Sequence, residues 1–195
     1  MGMQSPVGEN RGRDAPHDLV AFWKDAGPER WFTKNEAFDA VLRVRFERAH
    51  RLAATGNLSP HGLTPDDALA LVLLLDQVPR NIYRGSAGAY ATDPLARGVA
   101  RYALERQLDR WIEPALRQFF YIPFQHSEDR SDQARSLRLS AAYHRAHPET
   151  SWLRHARHHA RLIQRFGRFP HRNPILGRES TPEELDYLSN GGFAG

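Results

Sequence analysis

The sequence predicts an all-α fold: a single-domain helical bundle or short superhelix of six to eight helices. Three observations carry this. From about Asp18 onward, apolar residues recur at helical intervals along almost the whole chain. The start signals of helices, a Thr followed by Pro and acids, stand before two of the apolar runs, at Thr64 and Thr181. No segment alternates apolar and polar residues with period two, as a half-buried strand would. At 195 residues the chain is long enough to bury a continuous core without metal or disulfide staples.

Residues 1–16 are rich in Gly, Pro and polar residues without periodicity, and read as a disordered arm ahead of one domain over residues 17–195. "FTKNEAFDAVLRVRFERAHRLAATG" places Phe38, Val41, Leu42, Arg45 and Phe46 on one helix face and stops near Gly56. In "TPDDALALVLLLDQVP", Thr64 is the N-cap and Pro65 the first helical residue, and the helix is expected to close before Pro79. A third helix starts at Asp93-Pro94, and a fourth spans roughly Glu113 to Phe120. A fifth begins near Ser127 as N-cap and ends before Pro148, and a sixth runs from Pro148 to Phe166. "STPEELDYLSNGG" adds a short terminal helix with a capping box and a glycine stop. A search for a 34-residue repeat finds no consensus.

Composition narrows the function classes. There is no cysteine, which excludes disulfides, thiolate metal ligands and cysteine nucleophiles. The longest apolar run, Ala68 to Leu75, is far too short to cross a bilayer, and no basic segment followed by an apolar one opens the chain. A soluble, cytoplasmic protein is expected. No glycine-rich phosphate loop and no nucleophile elbow is present, so nucleotide hydrolysis and α/β-hydrolase chemistry are poor fits. The net charge is +4, yet Lys24 and Lys34 are the only lysines among 27 basic residues. Codon bias in a GC-rich genome accounts for such an excess of arginine, and so does recognition of carboxylate or phosphate by its planar fork.

Two helix exits echo each other. "LLDQVPRNIYRG" leaves one helix and "RFGRFPHRNPILGR" another, so Val78-Pro79-Arg80-Asn81 resembles Phe169-Pro170-His171-Arg172-Asn173 with one residue inserted. As helix caps, these residues would bond the carbonyls left free at each exit, with Gly167 as the left-handed cap and Phe169 stapling the chain to the core. As a site, Arg165, Arg168, Arg172 and Arg178 exceed what one helix end can use, and His171 can act as donor, acceptor or acid-base group. If the exits face each other, Arg80 and Arg84 join them around an anion, with Asp76 the nearest acid. "FFYIPFQHSEDRSDQ" likewise reads as a cap with Ser127, or as an imidazole-carboxylate pair of His126 and Glu128. In "HARHHARLIQRF", His155 and His158 read as solvent-facing, whereas His159 precedes Leu162-Ile163 two turns before the arginine loop.

These strings, with "FW" at 22–23, "WF" at 31–32, "FD" at 38–39 and "STPEELDYL", make the chain resemble DUF924 over roughly residues 17–190. That family, bacterial and plant, has no known function. The resemblance implies an all-α, tetratricopeptide-like fold. It places Asp76, Gln77, Arg80, Asn81, His126, Glu128, Gln133, His159 and Arg168 through Asn173 on the family's motif positions. The loop "SPHGLTPDD" departs from the family by lacking a tryptophan. A fold alone implies no activity.

The concentration of titratable and donor residues at helix ends favours a site for a small anionic ligand, a carboxylate or phosphate. His126, Glu128 and His171 are the candidate acid-base residues. Asp76, Arg80, Asn81, Gln133, His159, Arg168, Arg172 and Asn173 are the candidate binding residues. The alternative is a tetratricopeptide-like adaptor for acidic peptides or a protein partner. No resident cofactor is expected; a divalent metal on His126, Glu128 and His159 or His171 is the weaker option. Nucleic acid is not an expected partner, because acids are dispersed among the arginines and no known reader motif occurs. Nor is a membrane.

Overall fold

Proline 79 stands inside a helix, and that one departure from expectation shapes the molecule's centre. A computed structural model describes residues 16–57 and 61–193, so the arm expected over 1–16 lies, but for Pro16, outside the described residues. Among those residues there are ten α-helices and no strand. Seven exceed one or two turns: α1 (Pro16–Ala26), α3 (Glu36–Ala54), α4 (Pro65–Val72), α6 (Asp93–Glu105), α8 (Arg130–Ala146), α9 (Trp152–Phe166) and α10 (Pro182–Ser189). Three short turns, α2 (Pro28–Trp31), α5 (Val78–Ile82) and α7 (Ile122–Gln125), raise the count above the six to eight expected. The span from Pro114 to Phe120 is a 3₁₀ helix, shortened by prolines at 114 and 123.

The caps follow sequence rules. Thr64 and Thr181 each form a capping box, with Asp67 and Glu184 respectively. Gly167 ends α9 at φ 72°, a left-handed conformation that suits glycine. At α8 the cap is Asp129, not Ser127, because its carboxylate accepts the free N–H groups of Ser131 and Asp132. In α3 the buried stripe is Phe38, Leu42, Phe46, Ala49 and Ala53. Val41 is 43% exposed, and Arg45 lies over the rings of Phe22 and Phe46. Around this stripe Trp23, Leu69, Leu73, Phe119, Phe120 and Phe124 are wholly buried and form the main core. The α8–α9 hairpin packs beside it, its turn pinned by Tyr143, which stacks on Trp152 at 3.9 Å and on His147 at 4.3 Å.

Proline lacks the N–H that would continue an α-helix and crowds the carbonyl four residues back. Rather than stopping at Pro79, α4 widens into a π-turn over Leu73–Gln77 and resumes as α5. Val78 N–H reaches back to the Leu73 carbonyl. Carbonyls in the widened turn then find partners from other helices: His50 Nδ1 at 2.8 Å from Leu74 O, and Thr92 Oγ1 donating to Leu75 O at 2.6 Å. Because a carbonyl only accepts, His50 carries its proton on Nδ1. Next along, Arg80 donates to Asp76 O at 2.7 Å and Asn81 to Gln77 O at 2.9 Å. The expected stop at Pro79 is thus corrected by hydrogen bonds from distant parts of the chain.

Thr92→Val keeps the shape at that position and leaves the buried Leu75 carbonyl unpaired. It should cost about 1–3 kcal/mol, read as a lower urea midpoint with an unchanged slope. Thr92→Ser should recover most of that loss.

Candidate functional site

The widened turn carries Asp76 into the protein, where the residue is fully buried. Its Oδ1 lies 2.8 Å from His126 Nδ1 and 3.4 Å from Arg80 Nη1, and its Oδ2 accepts from Gln77 Nε2 at 2.5 Å. Burial alone would push this carboxyl up. Arg80 and then His126 outweigh burial and hold it well below the usual carboxylate range. The carboxylate is therefore ionised and accepts, so His126 Nδ1 carries the proton. Burial, then the charge of Arg80, pushes His126 itself below its ordinary range, against the pull of Asp76. Near neutral pH the ring is uncharged, anchored through Nδ1–H, with no hydrogen bond at Nε2 among the described residues. That is the form a general base takes.

Arg80 forks onto Asp93, both bonds 2.9 Å. Beyond Asp93 comes Arg172, whose Nη1 lies 3.9 Å from Asp93 and donates to His126 O at 2.9 Å. The Arg172 guanidinium is sandwiched between the rings of Tyr90, at 4.6 Å, and Phe169, at 4.4 Å. Arg172 is 7% exposed, and its Nε is buried with no partner. Burial, then Arg80, lowers this guanidinium to about 10, so it stays charged at neutral pH.

Two more imidazoles complete the cluster. The His159 ring is 6.3 Å from that of His126, and its Nδ1 lies 2.9 Å from His155 O. Burial, chiefly, lowers it to about 3. His171 lies 5.8 Å from Phe169, its Nδ1 buried and unpartnered, and burial followed by Arg172 lowers it to about 4. Phe193, directly after Gly191 and Gly192, sets its ring edge-on to His159 at 5.2 Å and His171 at 5.1 Å. An open surface depression of about 500 Å³ lies alongside, lined by His158, Tyr187, Asn190 and Phe193 among others; its walls include neither Asp76 nor His126.

Of the residues singled out in the sequence, the structure gathers Asp76, Arg80, His126, His159, His171 and Arg172. The carboxylate expected to orient His126 is corrected: it is Asp76, fifty positions away, not Glu128. Glu128 accepts the Phe169 N–H at 2.8 Å and the fork of Arg178 at 2.7 and 3.0 Å. Arg168 forks onto Glu184 at 2.7 and 2.8 Å and reaches Glu179 O. Asn173 bonds Ser180, Glu184 and Arg178. Gln133 spans the carbonyls of Gln125 and Ser127, and Asn81 bonds Gln77 O. Their hydrogen bonds hold the frame. Sequence reading passed over Asp93 and Tyr90; Asp93 precedes a proline at a helix start, where an acid reads simply as a favourable first-turn charge. Among the described residues no group of three or more His, Cys, Asp or Glu is placed to hold a metal ion.

The fold and site thus define an all-helical protein with a buried acid–histidine–arginine cluster built on a π-turn. The chain belongs to the family described as bacterial protein of unknown function (DUF924), whose model matches residues 19–192. It is similar to a solved protein of unknown function from Agrobacterium tumefaciens, at 48% identity and a TM-score of 0.83, covering 90% of this chain and 97% of that one. No curated protein matches the chain.

The depressed histidines make stability depend on pH. Unfolded, His159 and His171 take up protons near 6.5; folded, they resist to about 3 and about 4. The unfolded state binds more protons between those values, so the stabilisation is full above pH 6.5 and falls as pH drops toward 4. Thermal scans should show Tm declining between pH 6.5 and 4.5, above the carboxylate window. The double variant H159F/H171F should flatten that slope; an equally steep slope in the variant would show that other groups set it.

Proposed function

We propose that this protein binds a small carboxylate or phosphate compound and moves a proton on it, with His126 as general base. The observation that supports this best is the buried Asp76–His126 pair beside Arg172, a buried cation with an unused donor. Asp76 fixes the tautomer and orientation of His126 and stabilises the imidazolium formed once the base has taken a proton. Arg172, held flat between two rings, supplies a preorganised N–H donor for the anionic group. Arg80 is engaged by Asp76 and Asp93 and positions both neighbours. His159 and His171 add uncharged, polarisable walls.

Charge accounting supports the same reading. Arg80 and Arg172 balance Asp76 and Asp93 while the histidines are neutral, so an incoming anion adds one negative charge to a balanced site. Proton transfer to His126 leaves an imidazolium backed by Asp76 beside the charge that builds on the substrate, so the total charge of the occupied site is unchanged by the step. The base must be uncharged when the anion binds, as the lowered pKa of His126 allows. Of the exposed large apolar side chains, Phe32, Trp111, Leu176 and Leu185 lie apart on separate segments, while Val41, Val44 and Leu52 share α3 and are the surface that an adaptor reading would use.

The test is a titration of ¹⁵N-histidine-labelled protein with a panel of small carboxylates and phosphates, followed by NMR. Some member of the panel should shift the His126 and His159 resonances, at pH 8 as well as at pH 6. Arg172→Lys keeps the charge but not the fork, and should weaken binding about tenfold, the scale of one charge-assisted hydrogen bond. His126→Gln should retain binding and abolish any turnover. If no carboxylate or phosphate moves these resonances in the folded wild-type protein, the reading fails.

A further inference from the structure

The net charge of +4 hides a segregation. Residues 130–166, the α8–α9 hairpin, contain eight arginines and two acids, which is +6 against +4 for the whole chain; the rest of the molecule is therefore net −2. The two acids are engaged: Asp132 lies 3.3 Å from Arg97 and 3.5 Å from Arg101 of α6, and Glu149 lies beside His147 at the hairpin turn. Asp129, next to the hairpin, is used as the α8 cap. The dispersal of acids among arginines seen along the rest of the sequence does not extend to residues 130–166.

Five of these arginines are oriented alike; of the others, Arg165 is paired with Glu183 and Arg135 lies over the ring of Phe124. Arg154, Arg157 and Arg161 stand at i, i+3 and i+7 of α9, on the side opposite its buried residues Leu153, Ala156 and Ile163. On α8, Arg138 and Arg145 share a seven-residue spacing opposite Asp132, Ser136 and Tyr143. All five are exposed, and none makes an ion pair among the described residues. At about 1.5 Å per residue, the α9 row places three guanidinium groups along roughly 10 Å of a straight rod.

We infer that the outward face of the α8–α9 hairpin is a docking surface for nucleic acid, gripped through its phosphate backbone. Arginine forks match phosphate oxygens in two-point geometry, and rows of them on rigid helices suit a polymer with regularly repeated charge. Between the arginines the exposed positions hold His155 and Gln164 on α9, and Ser131, Ala134 and Ala142 on α8. With no large apolar side chain to enter an acyl layer, the face does not fit an amphipathic membrane anchor. Arginine and Gln164 can meet base edges, but a row of evenly spaced guanidinium groups on a helix follows the evenly repeated phosphates, so recognition is of backbone charge and independent of sequence. This surface is separate from the Asp76–His126 cluster and does not depend on it.

Fluorescence anisotropy with a labelled 30-nucleotide RNA and a 30-base-pair DNA decides the matter. Wild-type protein should bind at 50 mM salt, and log affinity should fall against log salt with a slope of about −4, the release expected for about five neutralised phosphates. R154E/R157E/R161E should lose about thirtyfold or more in affinity while keeping the wild-type circular dichroism spectrum and Tm, since these side chains are exposed. R30E/R110E, which reverses two exposed arginines elsewhere, should bind like wild type, and so should Arg172→Lys. Three results would overturn the inference: no binding to either nucleic acid at 50 mM salt, equal binding by the triple variant, or binding to phosphatidylserine vesicles without binding to nucleic acid.

Discussion

A carboxylate that is fully buried and still ionised governs this structure. Isolating a charge such as that of Asp76 from water costs several kcal/mol unless partners replace the solvent. The partners arrive in alternation: Asp76 meets Arg80, Arg80 meets Asp93, and Asp93 meets Arg172. These four residues sit on the π-turn, on α5, at the start of α6 and on the turn after α9. One chain of alternating charge thus ties four helix ends together, beside the apolar packing of Leu73, Val78, Ile82 and Phe169. Its last member still has an unused donor, and its first holds an imidazole, so the free ends of the network are where ligand chemistry would fall.

Pro79 makes that arrangement possible. In an unbroken α-helix the Leu74 and Leu75 carbonyls would be engaged within the helix. The π-turn frees them, and His50 and Thr92, 24 and 17 residues away, take their place. Those two contacts draw α3 and the start of α6 against the turn beside Asp76. Widened turns of this kind recur at functional sites because they re-aim side chains that a regular helix would send elsewhere.

What the sequence made legible divides along the same line. Signals that act within one turn were readable: the Thr64 and Thr181 boxes, the Gly167 stop, and the staple at Phe169, which is wholly buried. The echo between the two proline exits was readable too, and both lead into the same cluster. The stop at Pro79 was misjudged because its remedy comes from residues no local window contains. Glu128 was assigned to His126 because it is two positions away, while Asp76 lies in another helix. The arginine surplus in "RFGRFPHRNPILGR" was a sound pointer to more than one task, yet it could not say which arginine did which. Arg168 and Arg178 find their acids at Glu184 and Glu128, and those pairings appear only after folding.

That division of labour puts the clamps and the clustered Arg172 in one stretch. A guanidinium sandwiched between two rings is useful only if the backbone carrying it does not move. The turn that bears His171 and Arg172 is held on one side by the fork of Arg168 on Glu184 and on the other by the fork of Arg178 on Glu128. Glu184 is almost wholly buried, and the bond from Arg168 holds its carboxyl down to about 2, so this clamp stays ionised through the range in which the histidines titrate. Exposed ion pairs contribute little, but two-point forks on sheltered carboxylates fix direction as well as position. Helix α9 shows the same economy across its own width. His159, Leu162 and Ile163 lie on the side that faces the cluster, and Arg154, Arg157 and Arg161 lie on the side that faces water. A helical period that sets one face against the buried cluster leaves the other free to gather charge, so the same fifteen residues carry both without conflict.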